Sequence, residues 1–323
     1  MATSRAWRPH PVDGPYRARL DDVTELNQVF SDAFTERYRR DGMVGVRVPF
    51  LNPAIWRYAI EDADGGAMLW RDDRGHVVAF NMLHRSGTEG WMGPLAVRTE
   101  YQGSGTGKEV VTRGIEWLKQ NGASVIGLET MPRTMDNIGF YSRLSFAPGR
   151  LTVTTTLEAA YDDVAALSIG RLAPNDKHAA FDECRALVAR ALPGYDYTRE
   201  ITLTDDLGLG DTVLVYERNR LVGFALAHTA PLVEGRTRDE LRVLKLVVDD
   251  ESRFIELTRA IGDFARRSGA RRVAYRMQGE YLSAYQQLIL RGGHVRWTDL
   301  RMSLAGYDER RPAQGIVLSN WEI

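Results

Sequence analysis

"YQGSGTGKEVV", Tyr101–Val111, places three glycines within five residues and follows them with a lysine. Clusters of this kind commonly hold phosphate, because glycine accepts positive φ and lets backbone N–H groups approach an anion closely. A Walker A loop, G-x-x-x-x-G-K-[ST], would put its first glycine at Gln102 and its magnesium-binding hydroxyl at Glu109, a carboxylate that repels phosphate. A dinucleotide fingerprint, G-x-G-x-x-G, would require a glycine at Lys108 or at Val110. The pattern that fits is Q-x-x-G-x-G, met by Gln102, Gly105 and Gly107.

Working outward, the loop joins a predicted strand ending "PLAV" to a predicted helix starting near Lys108, with Val111, Ile115 and Leu118 on one face. Upstream, a strand at Tyr16–Leu20 precedes an amphipathic helix carrying Val23, Leu26, Val29, Phe30 and Phe34. A second helix is capped by Asn52 with Pro53 at its first position. "AMLWRDDRGHVVAFNMLHR" reads as a hairpin, and Pro94 demands a bulge or splayed edge in the strand that follows. Downstream come strand "SVIGLET", helix "RTMDNIGFYSRL" and strand "LTVTTTL".

Over "GPLAVRTEYQGSGTGKEVVTRGIEWL", the downstream "NIGFYSRLSF" and the order of elements from Tyr16 to about Leu157, the chain resembles the GNAT superfamily of acyl-CoA-dependent N-acetyltransferases. The resemblance implies an α/β fold with a mixed, mostly antiparallel sheet and a splayed central strand pair. It also implies acetyl-CoA as cosubstrate. Gln102, Gly103, Ser104, Gly105, Thr106, Gly107 and Lys108 would then form the pyrophosphate loop, and the backbone of Leu95, Ala96 and Val97 would pair with the pantetheine arm. Backbone N–H groups at a helix start, reinforced by the positive end of the helix, suit a pyrophosphate whatever the family.

Acyl transfer to an amine poses two proton problems. An amine with a pKa near 10 is neutral in about one part per thousand at pH 7, a deficit of roughly 4 kcal/mol. The departing thiolate benefits from a nearby acid. Tyr141 matches the family's tyrosine and is the expected general acid; Phe146 also matches. Thr134 stands at the family's asparagine position, Asn137 at its alanine position and Ser145 at its glycine position. Thr134, or Asn137 one turn away, is then the expected side-chain contact to coenzyme A. Many relatives carry a base on the strand before the loop, but Trp91 occupies that position here. Glu129 at the end of "SVIGLE" is the candidate base, with a water chain as the alternative.

The second half repeats the order of elements, so the chain reads as two tandem GNAT-like domains, residues 15–160 and 165–307, with a linker near Glu158–Ala166. Residues 1–14 and those beyond Tyr307 are expected to be extensions. In the second copy Asp249, Asp250 and Glu251 stand where phosphates need attraction, and Ile289 replaces the acid. The first domain is therefore expected to be catalytic, and the second to be degenerate and without its own acetyl-CoA site. The expected activity is acetyl transfer to a primary amine of a small molecule or peptide. The alternative is a non-catalytic acyl-CoA sensor or partner-binding module. The segment "RDGMVGVRVPFLNPAIW" is expected to line the acceptor side.

Composition narrows the partners. Lysine plus arginine, 42, nearly balances aspartate plus glutamate, 43, so no broad nucleic-acid surface is expected. No apolar run approaches the roughly 20 residues of a membrane helix, and the first residues have no apolar segment typical of a secretory signal. With a single cysteine, Cys184, and six scattered histidines, neither a disulfide nor a metal site is expected. A cytoplasmic monomer or homodimer is the expectation.

Overall fold

The computed structural model describes residues 10–162 and 165–321. The first half runs β1 (Val12–Arg17), α1 (Val23–Arg40), α2 (Pro53–Asp62), β2 (Ala67–Asp72), β3 (Val77–Ser86), β4 (Glu89–Val97), α3 (Thr106–Gln120), β5 (Val125–Thr130), α4 (Met135–Ser142) and β6 (Phe146–Glu158). The second half runs β7 (Leu167–Ser168), α5 (Pro174–Ala191), α6 (Thr198–Asp206), β8 (Gly210–Glu217), β9 (Arg220–His228), β10 (Glu240–Val248), α7 (Phe254–Arg267), β11 (Arg272–Gln278), α8 (Leu282–Leu290) and β12 (His294–Leu304). A further strand, β13 (Ile316–Ser319), closes the chain. The internal duplication is thus visible element by element.

Local chemistry accounts for most boundaries. The Asn52 side chain accepts the Ala54 N–H at 3.0 Å, with Pro53 in the first turn of α2. On α1, Val23, Leu26 and Val29 are buried and Phe30 and Phe34 pack at the margin of the same core. The first strand lies four residues earlier than expected, at Val12–Arg17; it is an edge strand with a register shift between Asp13 and Tyr16, a place that tolerates Pro15.

All strands join one sheet, ordered β1-β2-β3-β4-β5-β12-β6-β11-β10-β9-β8-β7, with β13 on β10. The centre of this order is an exchange. Strand β12 of the second half pairs with β5 of the first, while β6 of the first half pairs with β11 of the second. The two exchanged strands also pair with each other, from His294↔Thr156 to Leu304↔Phe146. Helices cover both faces of each half, giving four apolar cores. A smaller cluster of Ile55, Tyr58, Leu209, Ala230 and Leu244 joins the halves.

A buried polar network crosses the same junction. Lys245 donates to Ser319 Oγ at 2.9 Å, and the Ser319 hydroxyl donates to Glu89 at 2.7 Å. His84 meets Asp62 at 2.8 Å. The Ser86 hydroxyl donates to Glu200, whose carboxyl is pushed up to about 7, chiefly by burial and also by the nearby Asp62 charge. Such a network adds little net stability over apolar packing, but it fixes one docking geometry because every member needs its partner.

The two halves differ where their central strands part. Strand β4 runs parallel to β5 only over Glu89–Met92 ↔ Val125–Leu128, which leaves the β5-facing edge of Gly93–Val97 open. Strand β10 likewise runs with β11 only over Glu240–Arg242, but β13 then pairs with Lys245–Val248. The residues beyond Tyr307 are therefore not a mere extension. Ile316, Val317 and Leu318 are buried, and Tyr281 Oη both accepts the Val317 N–H and donates to its carbonyl.

Candidate functional site

The open edge of β4 and the glycine loop meet in one cleft of about 500 Å³. Leu95, Ala96 and Val97 form one wall, and Gln102, Gly103, Gly105, Gly107 and Lys108 form the end. Gly103 and Gly105 have φ of +79° and +98°, the left-handed region where a Cβ is disfavoured. The helix starts at Thr106, two residues before the expected Lys108, with Gly105 as its cap residue. The Glu109 backbone N–H donates to the Gly105 carbonyl at 3.1 Å and so closes the first helical turn. The N–H groups of Thr106, Gly107 and Lys108 precede it and have no helical acceptor. They form a ready anion site at the positive end of α3.

The polar side chains of the loop brace it. Gln102 donates to the Val97 carbonyl at 3.0 Å and accepts from Arg40 at 3.0 Å, tying the loop to β4 and α1. Ser104 donates to the Tyr101 carbonyl at 2.6 Å, and its hydroxyl lies 2.9 Å from that of Thr106. Ser104 and Thr106 therefore shape the loop through their hydroxyls, and neither is among the residues that line the cleft. Arg37 and Arg40 of α1 line the cleft beside Lys108. Sequence reasoning passed over both, although "TERYRR" carries them one turn apart on a single helix.

Tyr141 lines both this cleft and a smaller adjoining chamber of about 170 Å³. Leu95, Asn137, Phe34 and Arg37 are also shared, so the two spaces meet at Tyr141. Burial alone pushes the Tyr141 phenol well above its ordinary value, which keeps its proton in place. Asn137 faces the cleft and donates to Thr130 at 3.4 Å. Thr134 does not face it: fully buried before α4, it gives its hydroxyl to Asp41 at 2.7 Å. Its expected contact to coenzyme A is therefore replaced by a structural bond between α1 and α4. Ser145, at the family's glycine position, has φ +68°, so its backbone keeps the conformation that a glycine would favour.

Glu129 lines the smaller chamber, but both cations that hold its carboxylate come from the second half. It meets Arg276 in an ion pair, accepts from Arg301 at 2.9 Å and from Thr152 at 2.6 Å. Burial works to raise its pKa, yet Arg276 and Arg301 outweigh it and hold the carboxyl below its usual range. A carboxylate so stabilised is a weak proton acceptor, which argues against the base role expected for it. Trp91, at the position of the family's base, is buried, with the Arg301 guanidinium 3.9 Å from its ring centre. The segment at residues 40–56 does not line either space, apart from Arg40 at its start.

A larger cavity of about 760 Å³ lies at the matching loop of the second half. Asp249 and Asp250 line it with Arg190, Arg220 and Arg253; Arg220 pairs with Asp249 at 3.0 Å and Arg253 with Glu217 at 2.6 Å, so two of the three arginines are already engaged by carboxylates. Among the described residues no group of three or more potential ligands is placed to hold a metal ion, and no helix is long and apolar enough to cross a membrane.

Comparison with known proteins agrees with this geometry. Residues 25–146 match the model of the acetyltransferase (GNAT) family. A Pyrococcus horikoshii protein assigned to the acetyltransferases superposes with a TM-score of 0.64 at 17% identity, over 94% of this chain and 92% of that one. A GCN5-related N-acetyltransferase from Sphaerobacter thermophilus gives 0.56 at 16%, over 94% and 97%. A tandem GNAT protein from the clavulanic acid biosynthesis pathway gives 0.60 at 10%, over 91% and 98%. At these identities the superpositions establish the fold, that of a tandem pair. No curated protein sequence matches the chain. The family match, residues 25–146, spans the open strand edge, the glycine loop and Tyr141, so the part of the chain that resembles the acetyltransferase (GNAT) family is the part that builds the cleft.

Proposed function

We propose that the first half is an N-acetyltransferase that binds acetyl-CoA in the cleft beside β4 and passes the acetyl group to a primary amine held in the adjoining chamber. The observation that carries this reading is the convergence of three features on one cleft: an unpaired strand edge, orphan N–H groups at the start of α3, and Tyr141 where the cleft meets the chamber. Residues 95–97 would pair with the amide-bearing arm, and the loop would take the pyrophosphate. The Tyr141 hydroxyl would stand ready to give its proton to the departing sulfur. The second half supports the first as a scaffold, because β13 occupies the strand edge that an acyl-CoA arm would need there. The acceptor is a small-molecule or peptide amine.

Calorimetric titration with acetyl-CoA tests the site. One site per chain is expected, and it should vanish in Gly105→Val, whose branched side chain cannot adopt φ +98° without deforming the loop. Unchanged thermal unfolding of that variant would show that the loss is local. Two sites would overturn the role given to the second half, and none would overturn the cofactor reading.

A further inference from the structure

The smaller chamber has a floor that the first half does not supply. Asp299 and Trp297, on the exchanged strand β12, line it together with Tyr38 of α1 and Tyr141 of α4. The Tyr38 and Trp297 rings stand 6.0 Å apart at 40°, and Trp297 donates its indole N–H to Asp299 at 3.0 Å. Two aromatic rings and a carboxylate around one small space form a receptor for an ammonium ion.

Resting on the acetyltransferase reading above, we propose that the acceptor amine enters this chamber as its ammonium ion, seated between Tyr38, Trp297 and Asp299, and that Asp299 takes its proton. The active site would then be composite, with the acid from the first half and the base from the second.

The surroundings of Asp299 decide between it and Glu129. Arg276, on β11, pairs with Glu129 and reaches Asp299 at 3.2 Å. Glu129 also holds Arg301, whose other guanidinium nitrogen is taken by Glu309 at 2.7 Å. Arg37, on the α1 side of the chamber, is engaged by Asp41 at 2.5 Å. Thr152 is the cross-strand partner of Asp299 on β6, but gives its hydroxyl to Glu129. Of two carboxylates beside shared arginines, Glu129 therefore has the stronger claim on the cations. Asp299 has 13% of its side-chain surface exposed. Burial pushes its carboxyl up to about 6 and the Glu129 charge adds to the rise, against the pull of Arg276, the Trp297 bond and Arg301. That places it closer to the amine in proton affinity than an ordinary aspartate, as a base working near neutral pH requires.

The proton count closes. Asp299 removes one proton from R–NH3+, and the neutral nitrogen bonds the thioester carbonyl carbon. The C–S bond breaks, and the sulfur takes the Tyr141 proton. The proton then shed by the new amide nitrogen returns to Tyr141. The net release is one proton, from Asp299 to solvent.

The test compares two acceptors in full-length wild type, Asp299→Asn and Asp299→Glu: butylamine, an ammonium ion at neutral pH, and hydroxylamine, which is already neutral there. With butylamine, Asp299→Asn should lose about 10²-fold or more in kcat/KM. It should also lose the rise of kcat/KM with pH through about 6, and Asp299→Glu should restore part of both. With hydroxylamine the loss should be far smaller, and acetyl-CoA should bind all three proteins alike. Equal losses with both amines, or no loss with either, would overturn the base assignment while leaving the acetyltransferase reading intact. Acetyl-CoA binding without turnover of either amine by the wild type would overturn both.

Discussion

Tyr141 is only 6% exposed, and its raised pKa has two consequences. The phenol stays protonated throughout the working range, so it is always a donor. It is also a weaker acid than an exposed tyrosine, so its effect is concentrated at the moment when charge develops on sulfur. Tyr141→Phe keeps the ring that packs against Phe140 and Phe146, at centroid distances of 5.1 and 6.2 Å, and removes only the hydroxyl. Turnover, followed as released coenzyme A thiol, should fall about 10²-fold or more while the calorimetric affinity for acetyl-CoA is unchanged. Normal turnover would show that another group, or water, supplies the proton. The tyrosine and the glycine loop were both legible in the sequence, because each is read from contiguous residues. The weakness of Glu129 as a base was not. Its arginines lie 147 and 172 residues further along the chain, and no spacing rule connects them.

Two strands with similar patterns, β4 and β10, have different fates at the scale of elements. Each parts from its parallel neighbour, and each offers an unpaired edge whose N–H and C=O groups need partners. In the second half β13 supplies them. Leu318 is fully buried in the core around α7. Leu318→Ala should lower stability by about 2–5 kcal/mol, read as a lower urea midpoint. The number of acetyl-CoA sites should stay at one, because Asp249 and Asp250 still face the position a pyrophosphate would take. A second site appearing in this variant would mean that β13 alone keeps the second half silent. The four-residue strand "IVLS" lies beyond the repeat that the sequence displays, and its pairing partner exists only once β10 has parted from β11.

For the whole molecule the exchange of β6 and β12 makes the halves interdependent. Without β12, strand β5 would lose its antiparallel partner at Gly127–Thr130, and β6 would lose its pairing along Phe146–Thr156. The Glu89–Ser319–Lys245 chain would also break, leaving the Glu89 carboxylate with the Trp91 indole N–H at 3.0 Å but without its hydroxyl donor and the nearby ammonium. A fragment of residues 1–160 should therefore be insoluble or lack cooperative unfolding by circular dichroism, whereas co-expression with residues 161–323 should restore a folded complex. A stable fragment that binds acetyl-CoA by itself would show that β6 can return to its own half. By itself the sequence determined what depends on neighbours along the chain: the periodicity of helices and strands, the anion-binding loop, the duplicated order of elements and the loss of the loop in the second copy. Only the tertiary structure decided which strand lies beside which, because two copies of one unit present interchangeable edges and the choice rests on long-range packing. That choice brings Asp299 and the arginines of the second half beside Glu129 and Tyr141 of the first, and so decides how readily each carboxylate takes up a proton.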